Sequence, residues 1–139
     1  MISLLILPDL FTLYQLPKKH LINMQEVLEW PWYTISKTKD ELSLLLPSQI
    51  NPSFLQDNVA KVEENWRALQ VDAQMDFGLV GILASIINPL RDNGIPIFCI
   101  STFNTDYVLV KQDSFENAIG VLTAAPGIVV KSGLSVMDE

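Results

Sequence analysis

The chain has 139 residues, 49% hydrophobic and 18% charged, with a formal net charge of −7. That balance describes a globular protein and excludes a largely disordered one. It also argues against nucleic-acid binding, because neutralising phosphates needs clustered Lys and Arg, and here only Lys18 and Lys19 are adjacent.

Ile2 to Leu7 and Leu10 to Leu16 are β-like runs, and Pro8-Asp9 between them reads as a turn dipeptide. After Pro17-Lys18-Lys19-His20, a short helix is expected over Leu21 to Leu28, ended by Pro31. Trp32 to Ser36 and Glu41 to Leu46 read as two strands joined by the polar connection Lys37-Thr38-Lys39-Asp40. Pro47 to Glu64 is the least regular stretch, with a helical turn expected around Ser53 to Asp57. Trp66 to Val71 alternates as a strand.

The stretch Asp76 to Val110 carries most of the functional information. Leu79, Ile82, Leu83, Ile86, Ile87 and Leu90 fall at three- and four-residue spacings, the stripe of a helix lying on a sheet. Pro89 should kink that helix by removing one hydrogen bond, unless the helix ends at Asn88 and restarts. Gly94 stands where a helix needs a left-handed residue to finish. Ile95 to Ser101 is almost continuously apolar and is expected to be a strand inside a sheet. Thr102-Phe103-Asn104-Thr105 is short enough to turn the chain back into Tyr107 to Val110. Asp113 with Glu116 has the spacing of a capping box, opening a helix with Phe115, Ala118, Ile119 and Leu122 on one face. Pro126-Gly127 stops it, and Ile128 to Val130 supplies a last strand. The second half therefore reads β-α-β-β-α-β, a ferredoxin-like plan, which the first half echoes less clearly.

Two halves of roughly 65 residues would each struggle to build a separate core, so they are expected to share a sheet or an interface. Cys99 is the only cysteine; it sits in an apolar strand, as a small hydrophobe would, and a reducing compartment is its natural setting. No segment approaches the ~20 apolar residues of a membrane helix. The N-terminal run lacks a basic leader, so no signal peptide is expected, and the cytoplasm is the default location.

Catalytic chemistry finds little support. His20 is the only histidine and lies beside two lysines in a surface loop. No second His or Cys completes a zinc set, and Gly78-x-x-Gly81 lacks the Lys-Ser/Thr of a phosphate loop. Ser85 and Ser101 have no base visible in the sequence, and Asp40-Glu41 and Glu63-Glu64 diverge on any regular element. The expectation is a non-catalytic protein without cofactor or metal.

The mouth of the long helix is the better site. Phe77 to Gly81 should hold backbone N–H groups with no partner inside the helix, which suit a small anion such as an amino acid carboxylate. Gly78 and Gly81 leave the backbone uncovered. Asp76 is either an N-cap or an acceptor for a ligand ammonium group. Asn104 and Asp106 are read as turn residues.

Gly81-Ile82-Leu83-Ala84, Pro89-Leu90, Gly94-Ile95-x-Ile97 and Ile100-Ser101-Thr102 followed by Asp106-Tyr107-x-Leu109-Val110 together resemble the second half of tandem ACT-domain proteins. The resemblance is to small bacterial members and, more distantly, to cytosolic arginine sensors and aspartate kinase regulatory domains. It reaches the first half through Trp32 to Ser36, Asp40-Glu41-Leu42-Ser43 and Trp66-Arg67-Ala68-Leu69. It implies an α+β fold of two ferredoxin-like βαββαβ units, over residues 1–64 and 65–139, with antiparallel sheet and helices on one face. It further implies a regulatory protein binding a small amino acid at the helix mouth, with Asp76, Phe77, Gly78, Leu79, Val80, Gly81, Ile82, Ile100, Ser101 and Thr102 as ligand-binding residues. Pairing of ACT units into a homodimer, and control of a partner protein, follow from the same resemblance. The alternative is a protein–protein assembly module that binds no ligand.

Overall fold

The computed structural model describes residues 2–55, 61–72 and 81–138. Its elements are β1 (Ile2–Leu16), α1 (Met24–Val27), β2 (Thr34–Lys37), β3 (Leu42–Pro47), β4 (Lys61–Val71), α2 (Ile82–Asp92), β5 (Ile97–Ser101), β6 (Asp106–Lys111), α3 (Gln112–Ala124) and β7 (Ile128–Ser132). The fold is mixed α and β, and from β4 onward the order is strand, helix, strand, strand, helix, strand. Two compact units form: residues 1–8 with 67–134, and residues 9–66 with 135–139. The division at residues 64 and 65 follows element order along the chain. Packing instead assigns the first part of β1 to the unit that holds α2 and α3.

In that unit the strand order is β7-β1-β4-β6-β5. β1 pairs in parallel with β7, from Ile2 opposite Ile128 to Ile6 opposite Ser132, whereas the β1–β3, β2–β3 and β5–β6 pairs are antiparallel, as expected. β5 and β6 form an antiparallel hairpin from Ile97 opposite Val110 to Ser101 opposite Asp106. β5 is half-buried and ends the strand order of the described residues, an edge among them rather than the interior strand its apolar run suggested. The core joins Leu4, Leu69, Val71, Val108 and Val110 of the strands to Ile86 and Leu90 of α2 and Phe115, Ala118 and Leu122 of α3. Arg67 lies over the Phe115 ring at 4.1 Å and donates to the Leu7 carbonyl at 3.3 Å, tying α3 to the strands beneath it.

The end of α2 shows how local sequence sets geometry. Gly94 has φ +71°, its N–H donates to the Arg91 carbonyl at 3.0 Å, and the Ile95 N–H donates to the Leu90 carbonyl at 3.0 Å. These are the paired bonds of a Schellman ending, and Leu90 and Ile95 meet in the core as that motif requires. α2 runs on through Pro89 to Asp92 rather than stopping at Asn88. The missing proline N–H deprives the Ser85 carbonyl of its usual donor, while the Asn93 side chain donates to the Pro89 carbonyl at 2.8 Å. α3 begins directly where β6 ends, with Lys111 as N-cap and no side-chain cap bond. Asp113 is therefore already inside the helix, and the expected capping box does not form; its charge still suits the positive end of the helix.

The other unit has the order β2-β3-β1-β4. β3 pairs antiparallel with β1, Phe11 opposite Pro47 through Leu16 opposite Leu42, and with β2. Leu44, Leu46 and Ile50 form a core flanked by Tyr14, Trp30, Tyr33, Ile35, Phe54 and Met137. Phe11 meets the Trp32 ring edge-on at 5.0 Å.

β1 is one strand, not two runs around a turn. Asp9, which would have to bond the local backbone to close a turn, is buried and accepts instead from Ser135 Oγ at 2.6 Å and from the Val136 N–H at 2.9 Å. The helix expected over Leu21 to Leu28 shrinks to the single turn of α1. Only Val27 in it is buried, which is too little apolar contact to hold a longer helix. Glu26 is pinned by the Ser53 hydroxyl and N–H, which holds its carboxyl below the usual range.

Candidate functional site

α2 opens at Gly81, with φ +85° and no side-chain cap. A Cβ there would meet nothing within 4 Å, so the glycine serves its left-handed backbone rather than tight packing. The Ser85 N–H and Oγ both donate to the Gly81 carbonyl, at 2.9 and 2.8 Å. Because Ser85 is the first residue to bond back into the helix, the N–H groups of Ile82, Leu83 and Ala84 have no intrahelical acceptor. Together with the helix dipole they form a positive, donor-only surface.

The β5–β6 turn is built from hydroxyls. The Thr102 N–H donates to the Thr105 carbonyl at 2.8 Å, and Thr102 Oγ1 both donates to that carbonyl at 3.1 Å and accepts the Thr105 N–H at 3.2 Å. Thr105 Oγ1, buried, donates to the Val71 carbonyl at 2.6 Å. That bond fastens the turn to Val71, the last residue of β4. Ser101 Oγ donates to Asp106 Oδ1 at 2.6 Å. Asp106 is only 3% exposed. It shares a strand face with Val108 and Val110 by the two-residue period of β6, and those valines pack with Ile86 and Leu90 of α2. A buried carboxylate therefore lies on the helix-covered face of the sheet, at the start of the strand.

Of the residues expected in the site, Asp76, Phe77, Gly78, Leu79 and Val80 lie outside the described residues. Gly81 and Ile82 form the helix mouth. Ile100 is half-buried in β5 opposite Tyr107. Ser101 reaches the carboxylate of Asp106, whereas the N–H of Thr102 is committed to the turn and is not offered to a ligand. Asp106 is not a turn residue but the first residue of β6, and its alternation with Val108 and Val110 was the available signal.

Cys99 packs half-buried against the core. Burial, and secondarily the Asp106 carboxylate, push its thiol up from the ordinary value. A thiol kept protonated is a poor nucleophile, so alkylation at mildly alkaline pH should be far slower in the native chain than in urea; equal rates would contradict this placement. The sign for stability follows. The contribution is present below the pKa of the unfolded thiol and is lost as pH rises through the folded value, because unfolding frees a thiol that ionises.

Among the described residues no group of three or more His, Cys, Asp or Glu side chains is placed to hold a metal ion, and no helix is long and apolar enough to cross a membrane.

Comparison with known proteins places this geometry. Residues 61–124, from β4 to the end of α3, match the family model described as ACT domain. The chain is 29% identical over 116 residues to the mouse protein named cytosolic arginine sensor for mTORC1 subunit 1, and 28% identical to the human one, a match covering 81% of this chain in each case. It spans 35% of the length of these relatives. Among solved structures, protein Atu0741 from Agobacterium tumefaciens is 27% identical with a TM-score of 0.75, over 96% of both chains. The regulatory subunit of aspartate kinase from Thermus thermophilus, 7% identical, shares the fold with a TM-score of 0.56 over 88% of this chain and 96% of that one. Residues 61–124 thus match the ACT domain model, and the chain is similar in sequence to proteins named as arginine sensors and in fold to a regulatory subunit of aspartate kinase.

Proposed function

We propose that this protein binds a small amino acid, without catalysis, at the mouth of α2, and that the bound ligand biases its association or its contact with a regulated partner. The observation that carries the reading is the start of α2 at Gly81, which has left-handed backbone and makes no side-chain cap bond. The N–H groups of that start, which have no acceptor inside the helix, suit a carboxylate. Asp106, whose Oδ1 is already used by Ser101, offers a carboxylate for an ammonium group. The name of the mouse and human relatives, arginine sensors, supports an amino acid as the ligand class.

On this reading the chain holds two ferredoxin-like ACT units, acts in the cytoplasm and pairs through its ACT units as a homodimer. Mechanistically, a ligand shifts the population only by its differential affinity for the two arrangements.

The test is a thermal-shift screen of the native chain against the standard amino acids at fixed protein concentration. A ligand at about 100 times its Kd adds about 2.7 kcal/mol, readily seen as a raised melting temperature. Gly81→Val, which forces a β-branched residue into left-handed backbone, should abolish the shift while leaving the circular dichroism spectrum folded. A flat screen would remove free amino acids as ligands. The assembly-module reading would then stand on β5, an edge strand with half-buried Ile97, Phe98, Cys99 and Ile100.

A further inference from the structure

Residues 135–138 follow β7 and pack with the unit of residues 9–66. Asp9 of β1 receives them: Ser135 Oγ donates to its Oδ1 at 2.6 Å, and the Val136 N–H to its Oδ2 at 2.9 Å. Ser135 Oγ also accepts the Met137 N–H at 3.0 Å. Met137 then packs against Leu44, Leu46 and Ile50, the core of the same unit. The segment thus offers its seat three groups: a hydroxyl, a backbone N–H and one flexible apolar side chain.

The two sides of this contact are held very differently. The segment has no helix or strand, none of its residues is buried, and Leu134 before it is 83% exposed. Backbone with so few buried contacts belongs to the parts of a protein that open locally while the rest stays folded. The seat is fixed. Asp9 is buried within a long strand. Trp30 stacks on Phe54 at 6.0 Å and meets Tyr33 edge-on at 6.1 Å, and His20 Nε2 bonds the Phe54 carbonyl at 2.8 Å. Among the described residues, both donors to the Asp9 carboxylate come from the segment. A buried carboxylate left without donors is costly, so a vacated seat favours a replacement that supplies the same groups. Preorganisation of the seat lowers the cost of binding one.

We propose that this seat is a peptide-binding site, closed in cis by residues 135–138, and that an extended segment of a partner protein with Ser or Thr two residues before Met or Leu takes their place. Asp9 reads the hydroxyl and the N–H, and the Leu44, Leu46 and Ile50 core takes the apolar side chain. Because the cis segment competes, affinity for the partner is lowered in proportion to the fraction of chains whose seat is open. Nothing at the mouth of α2 enters the site, so it does not depend on the amino acid reading.

The test titrates a blocked fluorescent peptide with the sequence of residues 134–138, Leu-Ser-Val-Met-Asp, into the full chain. Ser135→Ala combined with Met137→Ala loosens the cis segment and leaves the seat intact. With circular dichroism unchanged, this double variant should bind the peptide at least about tenfold more tightly than the native chain does. Adding Asp9→Ala should remove the binding, and a peptide with Ala in place of Ser and Met should not bind. In the native chain the Val136 amide proton should exchange with solvent faster than those of Leu44 and Leu46. No gain in the double variant, binding that survives Asp9→Ala, or a Val136 amide exchanging as slowly as the core would each overturn the proposal. Native dimers that dissociate in the double variant would overturn it too, making the occupant the same segment of a second copy.

Discussion

Leu90→Ala is expected to destabilise the protein by about 2–5 kcal/mol, the range for truncating a fully buried leucine. Leu90 is 0% exposed and packs with strand residues and α3 in the core. Its carbonyl also accepts the Ile95 N–H that closes α2. The cavity would thus open where the helix is both seated and ended. Urea unfolding followed by circular dichroism measures the loss, with the midpoint falling and the slope unchanged. A change below about 1 kcal/mol, typical of a surface substitution, would mean that α2 is not seated on the sheet in this way. Because α2 carries the helix mouth, the same variant should also respond more weakly to any amino acid that stabilises the native chain.

Asp106→Asn is the second change expected to act strongly, and chiefly on binding. The amide keeps an oxygen for the Ser101 hydroxyl, bonded at 2.6 Å in the native chain, and nearly keeps the volume of a side chain only 3% exposed. It removes the charge that an ammonium group would meet. A hydrogen bond to a charged partner contributes about 1.5–3 kcal/mol, so the Kd of an amino acid found by thermal shift should rise roughly ten- to a hundredfold. Isothermal titration of native and variant chains reads this directly. An unchanged Kd would take Asp106 out of the site and leave it the structural task of holding Ser101. The variant should also let the Cys99 thiol ionise more easily, since the Asp106 carboxylate is one cause of its raised pKa.

What could be foreseen from sequence follows the range of each signal. The α2 stripe, the left-handed Gly94, the four-residue β5–β6 turn and the buried face of α3 are set by neighbours within a few residues, and each was legible. Pro8-Asp9 looked like a turn because the partners of Asp9 stand 126 and 127 residues away. Asp113 looked like a cap because nothing local reveals that β6 runs straight into α3. β5 looked interior because an apolar run does not disclose whether a strand has one neighbour or two. Of the expected ligand contacts, Gly81 was read from its glycine and Ser101 from family resemblance, and both remain part of the proposed site. The burial of Asp106 was not foreseen, because a carboxylate in a turn-rich stretch reads as solvent-facing until its strand face is known. Residues 76–80 of the expected site lie outside the described residues.

The path of β1 bears on how the protein is made. Its first residues pair with β7, beginning with Ile2 opposite Ile128, and Asp9 further along receives Ser135 from 126 residues later. Closing so long a loop costs entropy before any contact offsets it, and such distant pairings slow folding. During synthesis neither unit is complete until most of the chain has left the ribosome, so β1 and β4 must wait with open edges for partners not yet translated. Nascent chains of this protein should therefore be holdase clients, and a chain split between the two sequence halves would leave each fragment without a strand or tail that its packing requires.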